Sequence, residues 1–422
     1  FKQFSYKEVL TYKRKNGERY MEESTQWKRT VAILFVSVFL VDASYTMVVP
    51  FLPLFLVKEL ALQADNAKLW SGIIIAVTFV FAGVMGPYWG ARGDITGQKK
   101  NVFRAGIGLT LCYFLCAFVQ TPLQLFLVRM VMGIVSGFVP ACMAIAGSTL
   151  PEAKVGWGMG LLMAADASGS ITGPLLGGFL SQIFGMRLSF AVSSVFLGLA
   201  TIAILTMVKE PPPVLKPGVS TKISPVSLLK DLGSMLSNKV VLSILVLYAI
   251  VRACTMVIQP LLSLYVNDVM QGAPSAVTIS GFILSLAGVA GIIAAPFWGN
   301  RGHDFGYVKV LSAVLVCAGF VSVLQMGIHD IWLFAGVYFI YGLFLAGAAP
   351  NIFSFLVQST ASDERGKAFG LSTAASQLGG AIGPVIGGIL GTFISLGHIM
   401  GITGGILMLS GLYVYRKQVK KS

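Results

Sequence analysis

The chain has 422 residues, of which 55% are hydrophobic and only 11% are charged. Soluble proteins carry roughly a quarter charged residues, so this composition excludes an ordinary soluble domain. A net charge of +14 raises the question of nucleic-acid binding, which the placement of the charges decides.

Apolar segments close to the roughly 20 residues that cross a bilayer recur along the chain. A polar, basic tail at 1–29 precedes a first set within 30–208, at about 30–57, 70–90, 103–120, 123–149, 158–182 and 188–208. A proline-bearing linker at 209–239 precedes a second set within 240–415, at about 240–266, 276–299, 307–327, 331–358, 368–392 and 398–415. Residues 416–422 form a basic tail. We therefore predict an all-α integral membrane protein with twelve transmembrane helices in two six-helix parallel repeats.

The N-terminal tail contains no apolar stretch, so we expect no cleaved signal peptide. The first methionine of the chain is Met21. We expect residues 1–20 to be either an upstream extension of the native protein or a poorly ordered tail.

The basic residues are distributed asymmetrically across the predicted membrane. With a cytoplasmic N-terminus, 26 of the 31 Lys and Arg residues lie in cytoplasmic segments, and three lie outside, namely Lys58, Lys68 and Arg187. This asymmetry is the positive-inside rule, and it predicts a multi-pass protein of the cell (plasma) membrane with both termini cytoplasmic. Because the topology explains the positive charge, we expect no nucleic-acid partner.

The two halves repeat each other at a nearly constant offset of 209 or 210 residues. An offset held over more than 130 residues indicates two parallel repeats, related by an axis along the membrane normal. The matched pairs include Pro50 with Pro260, Gly72 with Gly281, Trp89 with Trp298, Gly137 with Gly347, Gly169 with Gly379, Pro174 with Pro384 and Gly178 with Gly388.

Four ionisable residues lie inside predicted spans, where a charge costs at least about 2.5–3.5 kcal/mol, so each is a functional candidate. Asp42 lies near the middle of the first span, and Arg252 has the equivalent position in the second half, so the two could face each other across a cavity. Asp166 lies in the fifth span and Arg129 in the fourth. A carboxyl group in a low-dielectric cavity can hold a proton, and a nearby arginine favours its release. We predict that Asp42, Asp166 and Arg129 carry or relay protons.

Simpler interpretations of these charges stay open. Asp42 and Arg252 could form a structural ion pair that only neutralises itself. Asp166 could stay protonated and hydrogen-bond to a neighbouring helix. Arg129 could anchor a helix end by extending its guanidinium towards the membrane surface.

Glycines four residues apart mark one face of the fifth span. The segment contains Gly169, Gly173, Pro174, Gly177 and Gly178, and an equivalent set occurs in the eleventh span. Small residues allow helices to approach closely in lipid, and a proline loosens the helix at its position. This pattern predicts a pliable seam between the two halves, with ordinary small-residue packing as the alternative.

A short cytoplasmic loop is predicted at 90–100, between the second and third spans. Gly90 and Gly97 allow a tight turn, and Asp94 lies among several basic residues. A charged turn at a helix end suits a conformational latch. A solvated turn whose charges only set the topology is the alternative.

This loop resembles the signature loop of the major facilitator superfamily. Asp94, Gly97 and Lys99 match the family pattern, whereas Ile95 and Gln98 stand where arginines are usual, which weakens the expectation of a latch. The segment from Leu125 through Arg129 to Gly137 resembles the family's fourth-helix motif, which is linked to proton coupling. The glycines from Gly169 to Gly178 resemble its antiporter motif. Over about 25–415 the chain looks like the twelve-span drug:proton antiporters, and most like the MdtG-like multidrug efflux branch.

The resemblance implies proton-coupled export of small amphipathic compounds, including antibiotics, by alternating access. The proton gradient would supply the energy, without a cofactor or metal, and the partners would be a small-molecule substrate, protons and the lipid bilayer, with the protein a monomer. Asp42 and Asp166 are acids that the resemblance does not predict, so their roles rest on the physical argument. Arg252, Tyr45, Phe138 and Tyr248 are expected to line the cavity.

Other functions remain open at this point. The first alternative is a metabolite or organic-anion transporter of the same fold, which Arg252 would suit. The second is a membrane receptor or scaffold that transports nothing. An enzyme is not expected, because the sequence contains no nucleophile–base pair, and its five cysteines and three histidines form no metal-binding pattern.

Overall fold

The computed structural model describes residues 6–49, 51–210, 238–360 and 365–419. Within these ranges, the first half has eight helices. They are α1 (Tyr6–Met47), α2 (Leu52–Lys58), α3 (Ala64–Thr96), α4 (Gln98–Cys116), α5 (Pro122–Ile134), α6 (Phe138–Thr149), α7 (Glu152–Phe184) and α8 (Met186–Met207). Helix α1 already begins within the segment predicted as a tail at 1–29. The predicted linker at 209–239 lies mostly outside the described residues.

In the described part of the second half, this pattern is repeated by seven α-helices and one 3₁₀ turn at Gln325–Gly327. They are α9 (Lys239–Val269), α10 (Ala276–Phe305), α11 (Tyr307–Leu324), α12 (Ile331–Leu345), α13 (Ala348–Gln358), α14 (Arg365–Phe393) and α15 (Leu396–Val419). The described part of the chain contains no strand. The prediction of an all-α membrane protein is confirmed.

Three predicted spans are each built from two helices. The first breaks between Met47, where α1 ends, and Leu52, where α2 begins, whereas α9 continues through Pro260. The fourth breaks at Gly137, whose φ of +113° strongly favours glycine. The tenth breaks between α12 and α13, at the repeat-equivalent Gly347. The fourth and tenth spans therefore repeat each other closely, whereas the seventh span lacks the break of the first.

Ten of the twelve spans are recognisable by length and apolar composition alone within the described residues. The other two are α4 and α7. Helix α4 begins with Gln98, Lys99 and Lys100, and the long α7 is rich in glycine and serine, so both have less apolar composition. Large apolar side chains such as Val84, Phe393 and Leu409 are more than 60% exposed, as expected for a surface that faces lipid.

Each half packs around its own apolar core. Among the described residues, the first core draws on the helices of the first half and takes only Leu264 and Val277 from the second. The second core consists of residues of the second half. Each half is stabilised by an equivalent hydrogen bond between two of its own helices. In the first half the Trp89 indole donates to the Ile134 carbonyl oxygen at 2.7 Å, and in the second the Trp298 indole donates to the Leu343 carbonyl oxygen at 2.8 Å. Between the halves, α3 packs against α14 and α7 packs against α10.

Candidate functional site

A cavity of about 490 Å³ lies between the two halves. Its wall on one side comes from α1, α3 and α7, and on the other from α9, α10, α12, α13 and α14. This volume falls within the range of small-molecule sites in proteins, and a position between two bundles is typical of such sites.

The cavity carries opposite charges on its two walls. Asp42 and Asp166 line the wall of the first half, and Arg252 lines the wall of the second. The Asp42 carboxyl group lies close enough to that of Asp166 to interact with it electrostatically, and the nearby Ser170 hydroxyl donates to the backbone carbonyl oxygens of Asp166 and Ala167 at 3.2 and 3.0 Å. The Asp42 Oδ2 atom is buried and has no hydrogen-bond partner among the described residues, and the same holds for the Arg252 Nε atom.

The predicted approach of Asp42 and Arg252 is therefore only partly observed. Both residues reach the same cavity, as their equivalent positions in the repeat predicted. No ion pair within 4.0 Å joins them in the described part of the chain, and the closer electrostatic neighbour of Asp42 is Asp166.

Glycines place these charged residues at the cavity wall. A Cβ atom added to Gly169 of α7 would lie 2.9 Å from the Asp42 Cβ atom. A Cβ atom added to Gly379 of α14 would lie 2.8 Å from the Arg252 Cβ atom. Such distances are shorter than real Cβ contacts, so each charged residue needs a glycine on the helix opposite. The two contacts are equivalent in the repeat.

Two of the three predicted aromatic residues line the cavity. Tyr45 packs edge-on against Phe79, with ring centroids 6.4 Å apart, and Tyr248 packs against Phe353 at 5.4 Å. Phe138 does not line the cavity: it directly follows the break at Gly137, is 2% exposed and packs in the first apolar core.

Arg129 lies inside the bundle but behind the cavity wall. Its side chain is 3% exposed, so it does not extend to the membrane surface. Its guanidinium carbon lies 5.9 Å from the centre of the Tyr113 ring, and its Nε atom has no hydrogen-bond partner among the described residues. Tyr45, which lines the cavity, lies close enough to Arg129 to interact with it electrostatically.

Several cavity residues were not predicted from the sequence. Ser170 lies one helical turn after Asp166, a spacing that could have revealed it. Tyr338 and Tyr341 are three residues apart and line the opposite wall, but no repeat-equivalent residue marks them. Gln259 precedes Pro260, and its polar side chain within an apolar span is a signal that could have revealed it.

The glycine seam differs from the prediction in which helices it joins. Gly169, Gly173 and Gly177 face α1 of the same half, because an added Cβ atom would meet Asp42, Thr46 or Met47. Only Gly178 of this row faces the other half, where an added Cβ atom would lie 2.8 Å from the Thr278 Cα atom. Helix α7 is packed between α1 and α10, so the four-residue row holds one half together rather than joining the two.

Contacts between the halves run from one end of the bundle, which we name the Gly185 end after the α7–α8 turn, to about the middle of α3 and α10. A Cβ atom added to Gly72 would lie 2.2 Å from the Pro384 carbonyl oxygen, and one added to Gly281 would lie 2.2 Å from that of Pro174. The Thr278 hydroxyl donates to the Gly178 carbonyl oxygen at 3.0 Å.

Glycines nearer the opposite end, which we name the Gly97 end after the α3–α4 turn, show no contact between the halves. Four glycines lie here on α3, α7 and α14, helices that pack across the interface at the Gly185 end. A Cβ atom added to any of the four would have no neighbour within 4 Å. These are Gly86, Gly90, Gly160 and Gly370. The bundle is therefore closed at the Gly185 end and open at the Gly97 end.

The loop predicted at 90–100 is almost entirely helical. Helix α3 continues to Thr96, Gly97 alone separates it from α4, and its φ of +97° strongly favours glycine. Asp94 accepts a hydrogen bond from the Gln98 side chain at 2.8 Å. This hydrogen bond lies within the first half and does not reach the second.

Glu210 caps the first turn of α4. Its two carboxylate oxygens accept hydrogen bonds from the backbone N–H groups of Gln98 and Lys99, at 2.7 and 2.8 Å. The Lys99 ammonium group donates to the Val208 carbonyl oxygen at 2.7 Å. A carboxylate at a helix N-terminus is stabilised by the free N–H groups and the helix dipole. The end of α8 is thereby fixed to the α3–α4 turn.

Relatives of known family match nearly the whole chain. The model of the Major Facilitator Superfamily matches residues 34–300 and 275–422. A protein named multidrug resistance protein MdtG from Enterobacter lignolyticus is 29% identical over 389 residues, which are 92% of this chain and 91% of that protein. The protein of the same name from Klebsiella pneumoniae is 29% identical over 398 residues, which are 92% and 93% of the two chains.

Solved structures of transporters share the fold. The nucleoside transporter NupG superimposes with a TM-score of 0.77 at 13% identity, over 92% of this chain and 99% of that one. The human organic anion transporter TETRAN gives 0.68 at 17% identity, over 92% and 99%. The chain belongs to the Major Facilitator Superfamily and is a secondary transporter.

Proposed function

We propose that this transporter exports small amphipathic compounds from the cytoplasm in exchange for protons. The observation that carries the proposal is the cavity between the halves, in which two acids share one wall. The name of the relatives, multidrug resistance protein, supports export of drugs, and their similarity extends over more than nine tenths of the chain.

The pair of acids supports coupling to protons. Two carboxylates that share a water-poor site repel each other, so holding a proton on one of them relieves the repulsion. Exposure of Asp42 and Asp166 to one side of the membrane and then to the other would move that proton across. One elementary charge crossing 100 mV releases about 2.3 kcal/mol, enough for a substantial gradient of a small molecule.

The open end of the cavity suits the loading step of an exporter. The Gly97 end is the one at which the basic residues concentrate, and such residues favour the cytoplasmic side. The described arrangement is then open to the cytoplasm and closed to the outside. In this proposal the protein is a monomer of the cell membrane, both termini are cytoplasmic, and the proton gradient replaces any cofactor.

Reconstitution tests the proposal. The full chain would be placed in proteoliposomes, and a panel of cationic, anionic, zwitterionic and neutral drug-like compounds would be offered with an imposed pH gradient. We expect some panel members to be moved against their gradient as protons move the opposite way, and a protonophore to abolish this movement. If no panel member moves faster than in protein-free liposomes, export of amphipathic compounds is the wrong function.

Arg252 favours a second candidate, a transporter of organic anions or anionic metabolites. Its guanidinium lies at the cavity wall and its Nε atom lacks a partner among the described residues. The same panel separates the two candidates. Transport restricted to anions, and unaffected by a protonophore, would favour the second.

A further inference from the structure

The two walls of the cavity carry opposite charge at equivalent positions of the repeat. Asp42 on α1 packs over Gly169, and Arg252 on α9 packs over Gly379 in the same way. Parallel repeats place equivalent positions at the same membrane depth. The cavity is therefore polarised across its width, with acids towards the first half and an arginine towards the second.

Neither charge is neutralised by the protein in the described part of the chain. No ion pair joins Asp42 to Arg252, and both side chains keep a buried polar atom without a hydrogen-bond partner. Charges left unpaired in a low-dielectric site are costly. A bound molecule that supplies both counter-charges relieves both costs, whereas one with a single charge relieves only one.

The remaining lining is suited to an apolar body between two charged groups. Tyr45 and Phe79 contribute aromatic surface on one side, and Tyr248, Val251 and Leu284 contribute aromatic and aliphatic surface on the other. Aromatic side chains bind planar apolar groups through large contact areas.

From this arrangement we propose that the preferred substrates are amphipathic zwitterions, bound in one orientation. The cationic group lies against Asp42 and Asp166, the anionic group lies against Arg252, and the apolar body fills the space between. This inference rests on the proposed function, because it names the substrate class of the same cavity.

Four compounds built on one scaffold test it on the unmodified chain. They are aminomethyl-naphthoic acid, its methyl ester, its N-acetyl derivative, and the derivative blocked at both ends. They are respectively zwitterionic, cationic, anionic and neutral, while the aromatic body is constant. Binding to the purified full chain would be measured by microscale thermophoresis at pH 7. We expect the zwitterion to bind at least about 10-fold more tightly than either singly charged compound, because each of these leaves one wall unpaired.

Variants then assign each end of the compound to its wall. Arg252→Gln should bring the zwitterion and the methyl ester to equal affinity, and Arg252→Lys should keep most of the preference. Asp166→Asn should reduce the difference between the zwitterion and the N-acetyl derivative. Lys309→Gln removes a positive charge from an exposed position on α11 outside the cavity and should change neither ratio. Thermal unfolding of each variant shows whether it is folded.

Equal binding of the zwitterion and the methyl ester to the unmodified chain would overturn the inference. So would a full preference for the zwitterion retained in a folded Arg252→Gln variant. Failure of all four compounds to bind, while other panel members are transported, overturns the inference and leaves the proposed function intact. Failure of the whole transport panel removes the proposed function itself.

Discussion

Replacing Gly72 by alanine should open the Gly185 end of the bundle. The added Cβ atom would lie 2.2 Å from the Pro384 carbonyl oxygen, so α3 and α14 must separate by about 1 Å before the contact becomes tolerable. Overpacking of this kind costs about 1–3 kcal/mol. The cost exists only while the two halves touch there, so it destabilises the state closed at that end and not the state open at that end.

The expected shift follows from this difference. A free-energy change of about 1–3 kcal/mol changes the ratio of the two states by about 5- to 150-fold. Gly281→Ala should have the same effect, because its Cβ atom would lie 2.2 Å from the Pro174 carbonyl oxygen at the equivalent contact. Spin labels at exposed Asn66 and Ser395, one in each half at the Gly185 end, would report the distance between the halves by electron paramagnetic resonance.

Gly86→Ala is the matched control. Gly86 lies on the same helix, α3, and its added Cβ atom would meet nothing within 4 Å. Both substitutions raise helix propensity by a similar amount, so the comparison isolates the contact between the halves. A distance distribution that is the same for Gly72→Ala, Gly86→Ala and the unmodified chain would refute the reasoning.

Three further substitutions probe the supports of the first half. Arg187→Gln removes the 3.0 Å ion pair with Glu59 and two hydrogen bonds to carbonyl oxygens at the end of α4. The loss should lower the free energy of unfolding by about 1–2 kcal/mol, measured as a lower Tm in detergent. Glu210→Ala removes the cap of α4 and should cost about 1–2 kcal/mol, whereas Glu210→Gln should cost less; equal Tm values for the two would contradict the capping role. Gly169→Leu should lower transport more than Gly156→Leu, because only the first would displace Asp42.

The sequence predicted the fold well because the signals that define it are local and repeated. Length and hydropathy revealed the spans, and the constant offset paired Asp42 with Arg252 and Gly169 with Gly379. The structure shows those pairs making equivalent contacts. Residues at equivalent positions of the repeat make equivalent contacts because the helices of the two halves pack in the same way.

Features that depend on which helices are neighbours were not predictable. The approach of Asp166 to Asp42 requires α7 to pack against α1, which no pattern within either helix indicates. The same packing turns most of the glycine row towards α1 instead of the second half. Phe138 is buried because the chain breaks at Gly137, and a single glycine within a span does not reveal its φ from sequence alone.

The loop motif illustrates a different limit. Glycines and charges at 90–100 were interpreted as a turn, yet all seven residues from Gly90 to Thr96 belong to α3, and a Cβ atom added to Gly93 would clash with the Gln98 side chain. Only Gly97 needs a backbone conformation that other residues avoid. Helix ends are set by such single positions, which composition averaged over a segment does not identify.

The account depends most on Asp42 as a carrier of protons within the cavity. The direct measurement is transport by Asp42→Asn in proteoliposomes, at saturating substrate, in two modes. One mode is accumulation driven by a pH gradient, and the other is exchange of labelled for unlabelled substrate without a gradient. The account predicts that accumulation is lost while exchange persists. Accumulation equal to that of the unmodified protein would contradict it.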